Sequence, residues 1–210
     1  MTFKQKWDNY WYHYKWHTIG AVFALFLIIT IFYSCSHKQN PDLYMVYLSN
    51  AMVTDESVDK IETDLIKDAS LDDVDGDGNT LVFMEHIVSQ FDVNAYVDEA
   101  TAGKIQTVMF GGQHTLMLVH QYALEDYDGI FENLEDVIKE GDKTFKSPSE
   151  GFVSGISVEG NKYLENLGIN TKDLYVAMRR RSPKEAKDEE KEKYFDQAYK
   201  AMDYILSCQR

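Results

Sequence analysis

Hydrophobic residues in this chain are grouped in two different ways. Near the amino terminus they form one unbroken block. From Trp16 to Ser36 no Asp, Glu, Lys or Arg interrupts the run, and its centre reads Ile19-Gly20-Ala21-Val22-Phe23-Ala24-Leu25-Phe26-Leu27-Ile28-Ile29. Coiled as a helix at about 1.5 Å per residue, the block is roughly 31 Å long, close to the hydrocarbon thickness of a bilayer. A core helix in a small domain normally keeps a polar face, and this stretch has none, so it predicts a membrane-spanning helix.

Beyond Asn40-Pro41 the pattern changes to short apolar runs separated by helical spacings. Leu43 to Leu48 is a nearly continuous run of strand length. Thr54 or Asp55 can cap a helix whose apolar positions Val58, Ile61, Leu65 and Ile66 recur at helical intervals up to Ala69. An acidic loop, residues 72–79, leads to a second run at 81–88. A helix is expected from about Asn94 to Phe110, closed by Gly111-Gly112 as a left-handed cap, followed by a third strand at 115–119. Short helical pieces follow around 127–138, then a Ser/Lys/Gly-rich loop at 141–151. Strands at 152–158 and 174–178 flank a short helix at 162–167. A last helix runs from about 183 to 208, with Phe195, Ala198, Tyr199, Met202, Ile205 and Leu206 forming its apolar stripe. Strands alternating with helices predict an α/β fold, a mainly parallel sheet with helices on both faces.

The flanks of the apolar block suggest its orientation. Phe3, Trp7, Tyr10, Trp11, Tyr12, Tyr14 and Trp16 precede it, and Trp and Tyr favour the headgroup layer. Lys4, Lys6 and Lys15 also stand before it, so the amino terminus is expected in the cytoplasm and everything after the span outside the cell. Phe32-Tyr33-Ser34 puts bulk where signal cleavage needs small residues, which favours an uncleaved anchor. The same bulk departs from the pattern that precedes a lipidated thiol, so Cys35 reads as a free interfacial cysteine. The expected organisation is a cytoplasmic aromatic and basic collar (1–17), a transmembrane helix (18–36) and an extracellular α/β domain (41–210).

Charge narrows the partners. The 210 residues carry a net −14, and the segment 41–150 alone holds 6 basic against 24 acidic side chains. Such a block repels phosphate backbones, which excludes nucleic acid. Arg179-Arg180-Arg181, the one basic run, is flanked by acids and reads as a solvated strand end. Cys35 and Cys208 make no disulfide framework.

Ala102-Gly103-Lys104-Ile105-Gln106, then Phe110-Gly111-Gly112-Gln113-His114-Thr115-Leu116-Met117-Leu118-Val119 and Gly129-Ile130-Phe131-Glu132-Asn133-Leu134, together resemble the first lobe of extracellular solute-binding proteins. The layout of collar, single span and outer α/β domain also looks like a group of uncharacterised single-pass membrane proteins of Gram-positive bacteria. The first resemblance implies a solute-binding-like lobe, and the second implies no activity. Binding proteins clamp ligand between two lobes, and residues 41–210 hold little more than one.

The sharpest chemical signal is Asp73-Val74-Asp75-Gly76-Asp77-Gly78-Asn79. Side-chain oxygens at alternate places and a glycine at the sixth match the first half of an EF-hand-type loop, in which the seventh residue offers a carbonyl. Asp73, Asp75, Asp77 and Asn79 are therefore the candidate calcium ligands. The twelfth place, normally a bidentate carboxylate, is Met84, so Asp68, Asp72 or water would have to complete the site; otherwise the loop is an acidic turn. His86, His114 and His120 lack metal-ligand spacing, and Gly111-Gly112 precedes a strand where a phosphate loop would follow one. With no nucleophile beside a base, a non-catalytic domain is expected, engaging a small ligand or partner protein. An accessory or sensory subunit of a membrane complex, recognised through its span, is the alternative. In an open α/β sheet, a cleft at the carboxyl ends of the first three strands would mark ligand binding.

Overall fold

The computed structural model describes residues 2–36, 40–89 and 99–209. It divides into two compact units, the first containing the amino-terminal helix and the second beginning at Asn40.

The first unit is a single helix, α1 (Phe3–Ser36). Its stretch Tyr10–Phe32 is long and apolar enough to cross a membrane. The helix begins well before the apolar block because the aromatic collar is helical too: Trp7 stacks on Trp11 with ring centres 6.3 Å apart, and Tyr10 on Tyr14 at 5.4 Å. At about 1.5 Å per residue, its 34 residues extend roughly 51 Å, more than a hydrocarbon core requires.

The second unit is α/β. Its strands are β1 (Leu43–Ser49), β2 (Val82–Val88), β3 (Leu116–His120), β4 (Thr144–Lys146), β5 (Val153–Ser157) and β6 (Leu174–Met178). Its helices are α2 (Asp55–Asp68), α3 (Glu99–Phe110), α4 (Gln121–Asp126), α5 (Lys162–Asn166) and α6 (Glu189–Ser207). The six strands form one sheet in the order β2-β1-β3-β6-β5-β4. β1 pairs in parallel with β2 and β3, whereas β6, β5 and β4 continue the sheet in antiparallel pairs.

The sheet is therefore mixed, a correction to the mainly parallel arrangement expected from the alternation of elements. A parallel return requires a crossover long enough to run back along the strand. Between β5 and β6 the only helix is α5, whose five residues cover about 7.5 Å, less than half the roughly 16 Å of a five-residue strand.

Alternation along β1 divides the core. Leu43, Met45 and Tyr47 face Val58, Ile61 and Leu65 of α2 and Phe195, Ala198 and Met202 of α6. Val46 and Leu48 face the opposite side, with Ile105, Val108 and Met109 of α3 and Ala123 and Leu124 of α4. Helices thus cover both faces, and the central strands, buried on both sides, have no polar alternation.

Local chemistry fixes the ends. The Ser57 amide donates to Thr54 Oγ1 at 3.2 Å, capping α2. Gly112 takes φ +76° after α3, as the glycine pair predicts, while residues 94–98 of the expected helix lie outside the described residues. Asp188 caps α6 by accepting from the Glu190 and Lys191 amides, so this helix begins later than its sequence pattern suggests. β2 is an edge strand, and Glu62 of α2 reaches over it to accept the Met84 amide at 2.7 Å.

Candidate metal centre

The loop between α2 and β2 is organised around its own carboxylates. Asp73 accepts the Gly76 amide at 2.7 Å through Oδ1 and the Gly78 amide at 2.8 Å through Oδ2. Asp75 accepts from the Asp77 amide at 3.0 Å, and Asp77 from the Asn79 amide at 2.8 Å. Gly76 and Gly78 have φ of +75° and +90°, left-handed conformations in which a side chain would be strained. The aspartates and glycines of the sequence motif thus serve to curl the chain tightly back on itself.

The fold adds a residue that the motif does not contain. Asp42, fully buried, accepts the Val74 amide at 2.6 Å through Oδ1 and the Leu81 amide at 2.8 Å through Oδ2. Candidate ligand atoms of Asp42, Asp73 and Asp75 all lie within 4.8 Å of one another, a cluster that could hold a metal ion. None of the three forms an ion pair among the described residues. Of the four residues singled out by sequence, Asp73 and Asp75 enter this cluster, Asp77 turns its carboxylate to the Asn79 amide, and Asn79 holds the seventh place, where the main-chain carbonyl is the usual donor. Asp72 and Asp68, considered for completing the site, are engaged elsewhere: Asp72 with Lys200 at 2.5 Å, and Asp68 with the Tyr204 hydroxyl at 3.4 Å.

Asp42 could have been found by register. Parallel pairing sets Leu43 beside Val82, so the residue before β1 must lie beside the residue before β2, at the end of the acidic loop. The loop is also tied to α6, because the Asp72 amide donates to buried Gln197 at 2.8 Å.

The electrostatics of the cluster are uneven. The Gly78 amide, with help from Gly76, holds Asp73 below the usual carboxylate range against a desolvation cost. The Asp77 amide favours ionised Asp75 too, but desolvation and the charges of Asp77 and Asp42 outweigh it and raise its pKa. A divalent cation would relieve that repulsion. Three carboxylates offer hard oxygen donors, which suit a hard divalent cation better than a softer one.

A cavity of about 350 Å³ opens at the same end of the sheet, by the amino ends of β1 and β3. Pro41, adjacent to Asp42, forms part of its wall, together with Tyr44, Gln113, Thr115, Lys191 and Tyr194. Burial raises the Tyr194 pKa, and the nearby charges of Asp75 and Asp42 add to the effect. This is the opposite end from the carboxyl ends of the parallel strands β1 to β3, where open α/β sheets commonly bind ligands.

The basic run differs from its sequence reading. Arg179 is buried, pairs through both terminal nitrogens with Glu185 at 3.0 and 2.8 Å, and stands 5.1 Å over the Phe195 ring. Arg180 pairs with Glu150, and Arg181 with Glu132 at 3.4 Å. Consecutive residues thus tie the end of β6 to three separate segments. His114 is buried with Nε2 3.1 Å from Glu85 Oε2, poorly aligned for a hydrogen bond; desolvation lowers its pKa, and the Glu85 charge opposes the shift. His120 caps α4 by accepting from the Tyr122 amide. Comparison with protein-family models, curated proteins and solved structures finds no match for this chain.

Proposed function

We propose that this protein is a non-catalytic binding domain, anchored by α1 with its amino terminus in the cytoplasm and its α/β unit outside the cell, and that its acidic loop holds calcium. The observation that carries this reading is the convergence of Asp42 with Asp73 and Asp75 in a loop already curled by its own amides. The lysines before the span support the orientation. Outside a cell, calcium is abundant enough for a site in the range of about 10⁻⁴–10⁻³ M to fill.

A ligand that binds only the folded state raises stability by mass action, by about 2.7 kcal/mol at a hundredfold excess over Kd. Millimolar calcium should therefore raise the melting temperature relative to chelator, and Asp75→Ala should abolish the rise while leaving the fold intact. Identical melting curves in calcium and chelator would reduce the loop to a turn. Protease added to intact protoplasts should degrade the α/β unit; full protection would reverse the orientation.

A further inference from the structure

The collar of α1 brings side chains together at a regular spacing of four. Trp7 stacks on Trp11 with ring centres 6.3 Å apart, and Tyr10 on Tyr14 at 5.4 Å. His13 and His17 continue this series on the same unbroken helix, one turn apart. Of the six histidines in the chain, they are the only two at this spacing.

Both are exposed, and among the described residues neither imidazole has a hydrogen bond or an ion pair. Their neighbours are aromatic: His13 meets Tyr12 nearly at right angles with ring centres 5.1 Å apart, and His17 meets Tyr14 at 6.3 Å. The turn that follows His17 carries only Gly20 and Ala21 on the same side, and a Cβ at Gly20 would meet nothing within 4 Å. The space there is open to water.

Two imidazoles one helical turn apart on a shared face are a metal-ligand spacing. Nitrogens bound to one zinc ion at about 2.0–2.1 Å lie roughly 3.3 Å apart in tetrahedral geometry, and side chains whose Cβ atoms are about 5–6 Å apart reach this by rotation alone. The neighbourhood also selects the metal. No Asp or Glu occurs between Asp8 and Asp42, so calcium and magnesium find no carboxylate beside the pair, whereas imidazole suits zinc, copper and nickel. Lys15, two positions from each histidine, projects from roughly the opposite face of the helix, with its ammonium 5.8 Å from the Trp16 ring.

We infer that His13 and His17 form a two-imidazole chelate for a divalent transition metal of the zinc, copper(II) and nickel(II) class, with water in the remaining positions. The inference requires neither the proposed orientation of α1 nor a filled calcium loop.

The test is calorimetric titration of zinc into the full chain in phosphatidylcholine nanodiscs, with millimolar calcium present throughout to occupy the acidic loop. Zinc should bind, and His13→Gln and His17→Gln should each weaken the tightest site about tenfold or more. Glutamine is a good helix former and both positions are exposed, so the helix is kept. Combining His17→Gln with Thr18→His retains two histidines but sets them five apart, off a common face, and should bind no better than His17→Gln alone. With less than one copper(II) per chain, electron paramagnetic resonance should show hyperfine coupling to two imidazole nitrogens in the wild type and to one in either single variant. Absence of zinc binding, an affinity unchanged in both single variants, full affinity in the displaced variant, or a copper spectrum without two imidazole nitrogens would overturn the inference, whether or not calcium raises the melting temperature.

Discussion

Replacing Glu185 with glutamine isolates one charge in the most heavily paired part of the α/β unit. Arg179 and the Ser182 amide hold the Glu185 carboxyl down at about 2, from an ordinary 4.5, with the two Arg179 bonds as the leading cause. At about 1.4 kcal/mol for each tenfold change in proton affinity, that difference sets an upper bound of ~3.4 kcal/mol. Glu185 keeps about a fifth of its side chain in water (21%), and glutamine preserves an acceptor for Ser182, so screening and the retained bond reduce the expected loss to about 2 kcal/mol. For a unit of this size that is a fall of about 4–8 °C in melting temperature. A carboxylate with a depressed folded pKa contributes stability that is fully present above its unfolded value and lost as pH falls toward its folded one. The gap between wild type and Glu185→Gln should therefore be full at pH 7, narrow below pH 4.5 and close near pH 2. Urea unfolding followed by circular dichroism at several pH values measures it directly. A gap that stays constant between neutral pH and about pH 2.5, or stays below ~0.5 kcal/mol at pH 7, would show that the pair does not stabilise the fold as argued.

Other expectations follow from single contacts. Thr54→Ala removes the cap on α2 and should cost about 1 kcal/mol in denaturant unfolding, with Thr54→Ser largely restoring it. Leu118→Ala, in the fully buried third strand, should cost about 2–5 kcal/mol with no change in calcium response. Asp42→Asn should lower stability even in chelator, because Asp42 orders two amides of the fold, whereas Asp75→Asn should act only when calcium is present; comparing the two in melting curves separates structural from ligand roles. Calcium affinity should fall on acidification into the carboxylate range, with Asp75, whose pKa is raised, protonating before Asp73, whose pKa is lowered.

Legibility from sequence followed the strength of local periodicity. The apolar block of α1, the stripe of α2, the stripe of α6 and the continuous runs of β1 to β3 announce themselves, because each buries a surface that its own spacing defines. β4 does not: a single apolar residue, Phe145, between Thr144 and Lys146 offers no alternation to read, and only pairing with β5 makes it a strand. Arg179 looked solvated because its neighbours in sequence are charged, yet Glu185 and Phe195 reach it through the fold. The acidic loop was visible as a motif, since turn residues act locally, whereas Asp42 contributes from 31 residues before Asp73 and only the pairing of β1 with β2 unites them.

The position of β6 has a consequence for how the chain must mature. It is the last strand in sequence, yet it fills the middle of the sheet, pairing Met178 with Leu116 across about sixty residues of intervening chain. Until residues 174–178 have been made and delivered, β3 has a row of unpaired backbone N–H and C=O groups flanked by apolar side chains, and β4 and β5 have no connection to the rest of the sheet. A chain that emerges amino end first must therefore pass through a stage in which half its sheet is open and sticky, and long-range closure of this kind is slow compared with forming a hairpin. Assembly is completed by a late insertion rather than by steady growth from one edge, which makes the interval before β6 arrives the period of greatest risk of aggregation.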